Sequence, residues 1–187
     1  MTASLREAWV KPDCAIPDGM EKVMRCSPTA LCLADEGLDD TPLVAINTGF
    51  VEATGYDADA VLGQNCRMLQ PGGGAGPVTR RMRDFVADRT QTEARFVVPN
   101  VTASGKRFLN VVYMTRIVRK SFNSMILGSQ FALMSGMEDA EVYERGLQED
   151  LINLTRVLSE TDWMMAGSMD AIANTHRILA RYRFERE

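Results

Sequence analysis

The sequence predicts an α+β fold, a five-stranded antiparallel sheet with short helices on one face, and three observations carry that expectation. Two short apolar runs, residues 29–35 (TALCLAD) and 42–47 (PLVAIN), flank a turn-rich stretch and read as a hairpin. Residues 48–70 then lose any sustained period and are punctuated by Gly49, Gly55 and Gly63, as expected of several short helices, one of them carrying Cys66. Three longer runs rich in β-formers follow at 91–101, 107–119 and 124–134, with Ser104-Gly105 as a tight turn between the first two. Pro99 has no backbone donor, so the first of these runs is expected at an edge or a bulge.

Ahead of the hairpin, residues 4–10 have the spacing of a short amphipathic helix that Pro12 ends. A second helix starts at Asp18, a favoured N-cap type, runs through Met20, Val23 and Met24, and is closed by Pro28. The glycine-rich stretch 71–77 reads as a loop. Residues 78–88 read as a helix with Val78, Met82, Phe85 and Val86 on its apolar side and Arg80, Arg81 and Arg83 on a basic face.

The tail returns to helical spacing. Leu147, Leu151, Leu154 and Leu158 form one series, and Met165, Met169, Ile172, His176 and Leu179 form a second, out of phase with the first. Residues 159–162 (SETD) supply N-cap types between them, so two helices joined by a turn are expected. The chain thus divides into an N-terminal helical cap (1–27), a core (28–135) and a C-terminal helical extension (136–187). Helices within the core can cover only one face of its sheet. The terminal helices are the candidates to cover the other, or to pair with a second copy of the chain.

At 187 residues and 45% hydrophobic content, the chain can build a core without disulfides. Its four cysteines follow no CxxC or Cys/His spacing and it has one histidine, which argues against zinc and for reduced thiols in a cytoplasm. Cys14, Cys26 and Cys32 read as small buried hydrophobes, and His176 as a packed or interface residue. No run approaches the roughly 18 apolar residues of a membrane span, and the opening residues lack the apolar core of a secretion signal. A net charge of -4 and a pI near 5.2 give no general pull toward nucleic acid or anionic membrane.

Residues 63–70, GQNCRMLQ, crowd Cys66 with Asn65, Arg67 and Gln70. Arginine brings a permanently charged planar fork suited to phosphate, and each amide offers a donor and an acceptor suited to a heteroaromatic edge. Together they point to a thiol facing a phosphorylated, ring-bearing ligand. The stretch resembles the GxNCRFLQ signature of LOV (light, oxygen, voltage) domains, the blue-light-sensing flavin branch of the PAS fold. FVEATGY at 50–56 is similar to the F-x-x-x-T-G-Y approach to that signature, and Met82-Arg83 fits the family's I-R position. Asn100, Asn110 and Gln130 fall on the three late strands where the family keeps polar flavin contacts. The resemblance spans residues 28–134.

That resemblance implies FMN as cofactor, because the stretch from Gln70 to Arg83 has no room for the loop that flavin adenine dinucleotide binders of the family insert there. It implies that Asn100 and Asn110 hold the pyrimidine edge, Asn65 and Gln70 the ring and ribityl chain, and Arg67 and Arg83 the terminal phosphate. It further implies a reversible bond between the Cys66 sulfur and flavin carbon C4a under blue light. A flip of the Gln130 amide would then pass a signal to the terminal helices, with light-dependent association of a homodimer, a downstream protein partner and no catalytic turnover. Met68, Leu109 and Val101 stand where the family commonly has phenylalanine, tryptophan and tyrosine, which changes packing around the ring.

Three other readings use the same residues. The tail helices and the arginines of RILARYRFERE (177–187) fit a light-regulated DNA-binding protein, although acidic neighbours dilute the basic footprint. A flavoenzyme with Cys66 as redox partner lacks a dinucleotide-binding glycine fingerprint and a second cysteine at CxxC spacing. A PAS module for dimerisation or redox sensing is the third.

Overall fold

A computed structural model describes residues 6–73, 76–119, 124–133 and 137–166. In chain order the elements are β1 (Ala8–Val10), α1 (Met20–Cys26), β2 (Ala30–Asp35), β3 (Leu43–Asn47), α2 (Thr48–Thr54) and α3 (Ala58–Val61). Two 3₁₀ turns (Cys66–Leu69 and Pro71–Gly73) lead to α4 (Pro77–Ala87), β4 (Glu93–Val101), β5 (Arg107–Arg119), β6 (Ser124–Leu133), α5 (Met137–Ser159) and β7 (Trp163–Met165). The sheet runs β1-β3-β2-β6-β5-β4, with β7 added beside β5, and every pairing is antiparallel. β4 lies at one edge, which accommodates Pro99.

Two short strands depart from the expected pattern and raise the strand count from five to seven. Residues 8–10, expected to be helical, form β1 on the free edge of β3, with Trp9 opposite Ile46. Three residues are too few to show a period, and the open ladder of β3 decides their conformation. Residues 163–165, expected in the second tail helix, form β7 against residues 117–119 of β5, beyond the reach of β4. Met169, Ile172, His176 and Leu179 lie outside the described residues. The helix expected from Asp18 begins at Met20, with Gly19 as a left-handed N-cap (φ 78°). A Cβ at Gly19 would stand 2.6 Å from Val157 Cγ1, so a side chain there would push α5 away.

Strand parity sorts side chains onto two faces. Leu31, Leu33, Tyr113, Ile117, Met125 and Leu127 pack in one cluster with Met20 and Met24 of α1 and Leu147, Leu151, Leu154 and Leu158 of α5. The leucine seam therefore covers the chain's own sheet, each buried leucine contributing roughly 1.5–3 kcal/mol. The opposite face presents Cys32, Val98, Asn100, Asn110, Val112, Met114, Ile126 and Gln130 toward α2, α3, the 3₁₀ turns and α4. No helix among the described residues is long and apolar enough to cross a membrane.

Three polar devices fasten these layers. Asn47 ends β3, and its Oδ1 accepts from Phe50 N (3.1 Å), capping α2, and from Leu31 N (2.8 Å). Its Nδ2 donates to the carbonyls of Met24 and Thr29. Arg116, 2% exposed, pairs with the equally buried Glu36 at 2.9 Å and donates to the carbonyls of Phe85 (2.7 Å) and Val86 (3.0 Å) at the end of α4. It also donates to the carbonyls of Asp88 and Gln91 in the turn before β4, and its guanidinium lies 4.5 Å from the Phe85 ring centroid. The third device is Asp150 on α5, whose Oδ2 accepts from Ser27 Oγ (2.6 Å) and Thr29 Oγ1 (2.5 Å).

Burial pushes the Asp150 carboxyl up, against the lowering effect of those two hydroxyls. A carboxyl raised in the folded state binds its proton more tightly there than in the unfolded chain. Its contribution to stability is therefore full below the ordinary carboxylate range and falls as pH rises through the folded value. Asp150→Asn keeps an acceptor for both hydroxyls and removes this dependence. Denaturant unfolding from pH 4 to 8 is expected to show wild type gaining on the variant toward the acid end, with the two within about 1 kcal/mol at neutral pH. Parallel pH profiles would contradict this.

Candidate functional site

The 3₁₀ turn at Cys66–Leu69 is set by Asn65, whose Oδ1 accepts from Arg67 N (2.9 Å) and so fixes where Cys66 points. Asn65 Nδ2 and the Arg67 guanidinium both hold Asp40, the arginine by a bidentate pair of 2.5 and 2.7 Å. Asp40 and Thr41 have left-handed backbones (φ 64° and 48°), unusual for residues with a side chain, and both line the cavity that the turn faces. That cavity has a volume of about 290 Å³. Its walls are Val98, Val112, Met114 and Ile126 from the sheet, with Met82 and Val86 from α4.

The amides form a row. Asn110 Nδ2 donates to Asn100 Oδ1 (2.8 Å) and Gln130 Oε1 (2.9 Å), while Asn100 Nδ2 donates to the Leu69 carbonyl (3.1 Å). Asn110 Oδ1 is buried and has no hydrogen-bond partner among the described residues. An acceptor left in that condition costs about 1–3 kcal/mol, and an N–H from a ring in the cavity would relieve it. Arg67, Arg83 and Asp40 are the charged groups of the lining. Gln70 accepts from Thr79 Oγ1 (2.7 Å) and places its Nε2 3.8 Å from Met82 Sδ. The residues present therefore fit a flat, apolar-walled ring with a polar edge and an anionic tail.

Seven of the eight expected site residues, Asn65, Cys66, Arg67, Gln70, Arg83, Asn100 and Asn110, line this one cavity, and Gln130 is bonded to its amide row. The arrangement adds what the sequence did not offer. Asp40 engages Arg67, and Cys32, expected as filler, shares a packed cluster with Cys66, with Gln130 Nε2 3.6 Å from its sulfur. Cys26, also expected to be buried, is exposed at the end of α1. Interaction with Cys32, then burial, push the half-buried Cys66 thiol well up. The same interaction, with donors from Gln130 and the Gly128 backbone, holds Cys32 down against its own burial. Cys66 thus keeps its proton at neutral pH.

A family model for the PAS domain matches residues 18–129. The chain belongs to the PAS family. Within it this is a LOV domain: the LOV protein of Rhodobacter sphaeroides superimposes with a TM-score of 0.68 at 25% identity, covering 91% of this chain and 96% of that one. The LOV domain of the EL346 blue-light activated histidine kinase from Erythrobacter litoralis gives a TM-score of 0.52 at 29% identity, over 57% of this chain and 96% of that one. Among curated relatives, Adagio-like protein 1 of Oryza sativa is 38% identical over 92 residues, which is 49% of this chain and 14% of that protein. Blue-light-activated histidine kinase 2 of Erythrobacter litoralis is 36% identical over 87 residues, 46% of this chain and 25% of that protein. The LOV segment thus spans a quarter or less of these two relatives' length.

Proposed function

We propose that this LOV domain is a blue-light receptor that binds FMN in the cavity and signals through a reversible bond at Cys66. The observation that carries the reading is the convergence of one protonated thiol and a row of three amides, with one unpartnered acceptor at Asn110 Oδ1, on a single apolar-walled cavity. Asn100 and Asn110 would hold the pyrimidine edge, Asn65 and Gln70 the ring and ribityl chain, and Arg67 and Arg83 the phosphate. For Arg67 this means sharing its fork between Asp40 and the ligand, a role for which five donors suffice. A bound flavin, once excited, would offer a basic nitrogen and an electrophilic carbon. Cys66, which keeps its proton, would supply both that proton and the sulfur, and the short 3₁₀ turn that fixes its direction would make the event effectively unimolecular.

Gln130 carries the change outward. Its amide carries both a donor and an acceptor, so reversing it would restore the pairing if the ring atom it faces changed from acceptor to donor. The alternative, an unpaired buried group, costs about 1–3 kcal/mol, the size of a typical allosteric coupling. Gln130 pairs with Ala30 of β2 and Val112 of β5, and its neighbour Phe131 packs against the cluster that holds α5. A shift of β6 therefore bears on α5 and, through it, on association of two copies. The inward seam of α5 is already taken, so a partner copy meets its outward side, where Ile152 is 52% exposed.

An absorption spectrum of the purified protein before and after blue light tests the reading. A yellow protein that bleaches and recovers in the dark is the expected result, and a colourless or photochemically inert one would overturn it. Gel filtration in darkness and under blue light at several concentrations tests the association, and an unchanged elution volume would count against it.

A further inference from the structure

We infer that Cys32 and Cys66 form a reversible disulfide, which makes the reactive end of the cavity a thiol redox site as well as a flavin site. The cysteines come from different elements, β2 and the 3₁₀ turn after α3, and sequence spacing gives no hint of their meeting. In the fold both belong to one packed cluster, Cys32 in its buried part and Cys66 against it, and each thiol perturbs the proton affinity of the other. Cys32 is held in place by its strand. It lies opposite Gly128 of β6, where a Cβ would stand only 2.8 Å from its sulfur, so the absence of a side chain at 128 makes the space that the thiol occupies.

Closing the contact to a bond of about 2.05 Å calls for movement at Cys66, which is half-buried and has the cavity on one side. The step balances with a peroxide as oxidant. One sulfur takes an oxygen atom and becomes a sulfenic acid while the rest of the peroxide leaves as water. The second sulfur attacks the first, the S–O bond breaks, and the oxygen leaves with the remaining thiol proton as a second water. Two thiol hydrogens and two electrons pass to the peroxide. Donors from Gln130 and the Gly128 backbone favour the Cys32 thiolate as the attacking partner.

The disulfide consumes the sulfur that the proposed photochemistry needs, so oxidation would silence the light response until a reductant restores it. A bound ring would screen Cys66, so flavin-free protein is expected to oxidise faster. Cys14 and Cys26 are replaced by serine to leave only this pair, and the full chain, flavin-loaded and flavin-stripped, is treated with hydrogen peroxide in the dark. The expected product is a peptide pair joining Cys32 to Cys66 within one chain, lighter by two hydrogens and released by dithiothreitol. Cys32→Ser is expected to give no such pair. Recovery of singly oxidised Cys32 or Cys66, or of links between chains alone, would overturn the inference. Because mass reports the link without light, its failure is distinct from failure of the photoreceptor reading, which shows as absence of bleaching in the reduced protein.

Discussion

Replacing Cys66 by alanine is expected to leave the protein yellow and to abolish light-induced bleaching completely. The two outcomes separate because the contacts that suit the ring, tail and polar edge of a flavin come from Asn100, Asn110, Gln70, Arg67 and Arg83, and the thiol only reacts. Cys66→Ser is expected to behave like alanine, since a hydroxyl is a far weaker nucleophile than a thiol. In the flavin-free protein Cys66→Ala removes the interaction that contributes most to holding the Cys32 thiol down, so alkylation of Cys32 should slow at neutral pH. Normal bleaching and dark recovery in Cys66→Ala would remove the basis of the assignment.

Arg116→Met is expected to cost about 3–5 kcal/mol of unfolding free energy, because it leaves the Glu36 carboxylate buried without its cation. The loss reaches the site. Arg116 ties the last carbonyls of α4 to β5, and α4 brings Thr79, Met82, Arg83 and Val86 to the cavity. Weaker flavin retention should therefore accompany the lower melting temperature. Arg116→Met combined with Glu36→Met removes both charges and is expected to recover part of the stability, since a buried pair replaced by apolar side chains is often neutral. A thermal melt of the single variant matching wild type would show that water reaches Glu36 easily. The double variant falling below the single would show that the carbonyls, not the carboxylate, depend most on Arg116.

What could be read in advance depended on how local each determinant is. The hairpin, α4 and the three long strands declare themselves through β-formers, turn residues and helical spacing within their own segments. Their observed limits differ from those expected by two residues or fewer. The amide row was accessible through a family resemblance, and the two-residue period of β4, β5 and β6 then places all three amides on one face. β1 and β7 were not accessible, because three residues carry no period and a neighbouring strand's open ladder decides their state. Arg116 reads as an ordinary polar position on a strand, and only the convergence of Glu36, Phe85 and Gln91 from distant segments reveals its burial. Cys32 was taken for a packing residue for the same reason, as its partner lies in another element. The leucines of α5 announced a seam, but sequence alone left open whether the sheet or a second molecule fills it.

The outer strand of the sheet has a consequence for how copies of this molecule meet. Of the two edges, β1 has three residues and β4 has nine, so β4 offers the longer template to a neighbour's strand, and Pro99 interrupts its row of donors. Growth of a continuous ladder from one molecule into the next is blocked at that rung, which guards against fibres. Any reversible, light-gated pairing is left to side-chain surfaces, where a small conformational shift can make or unmake it.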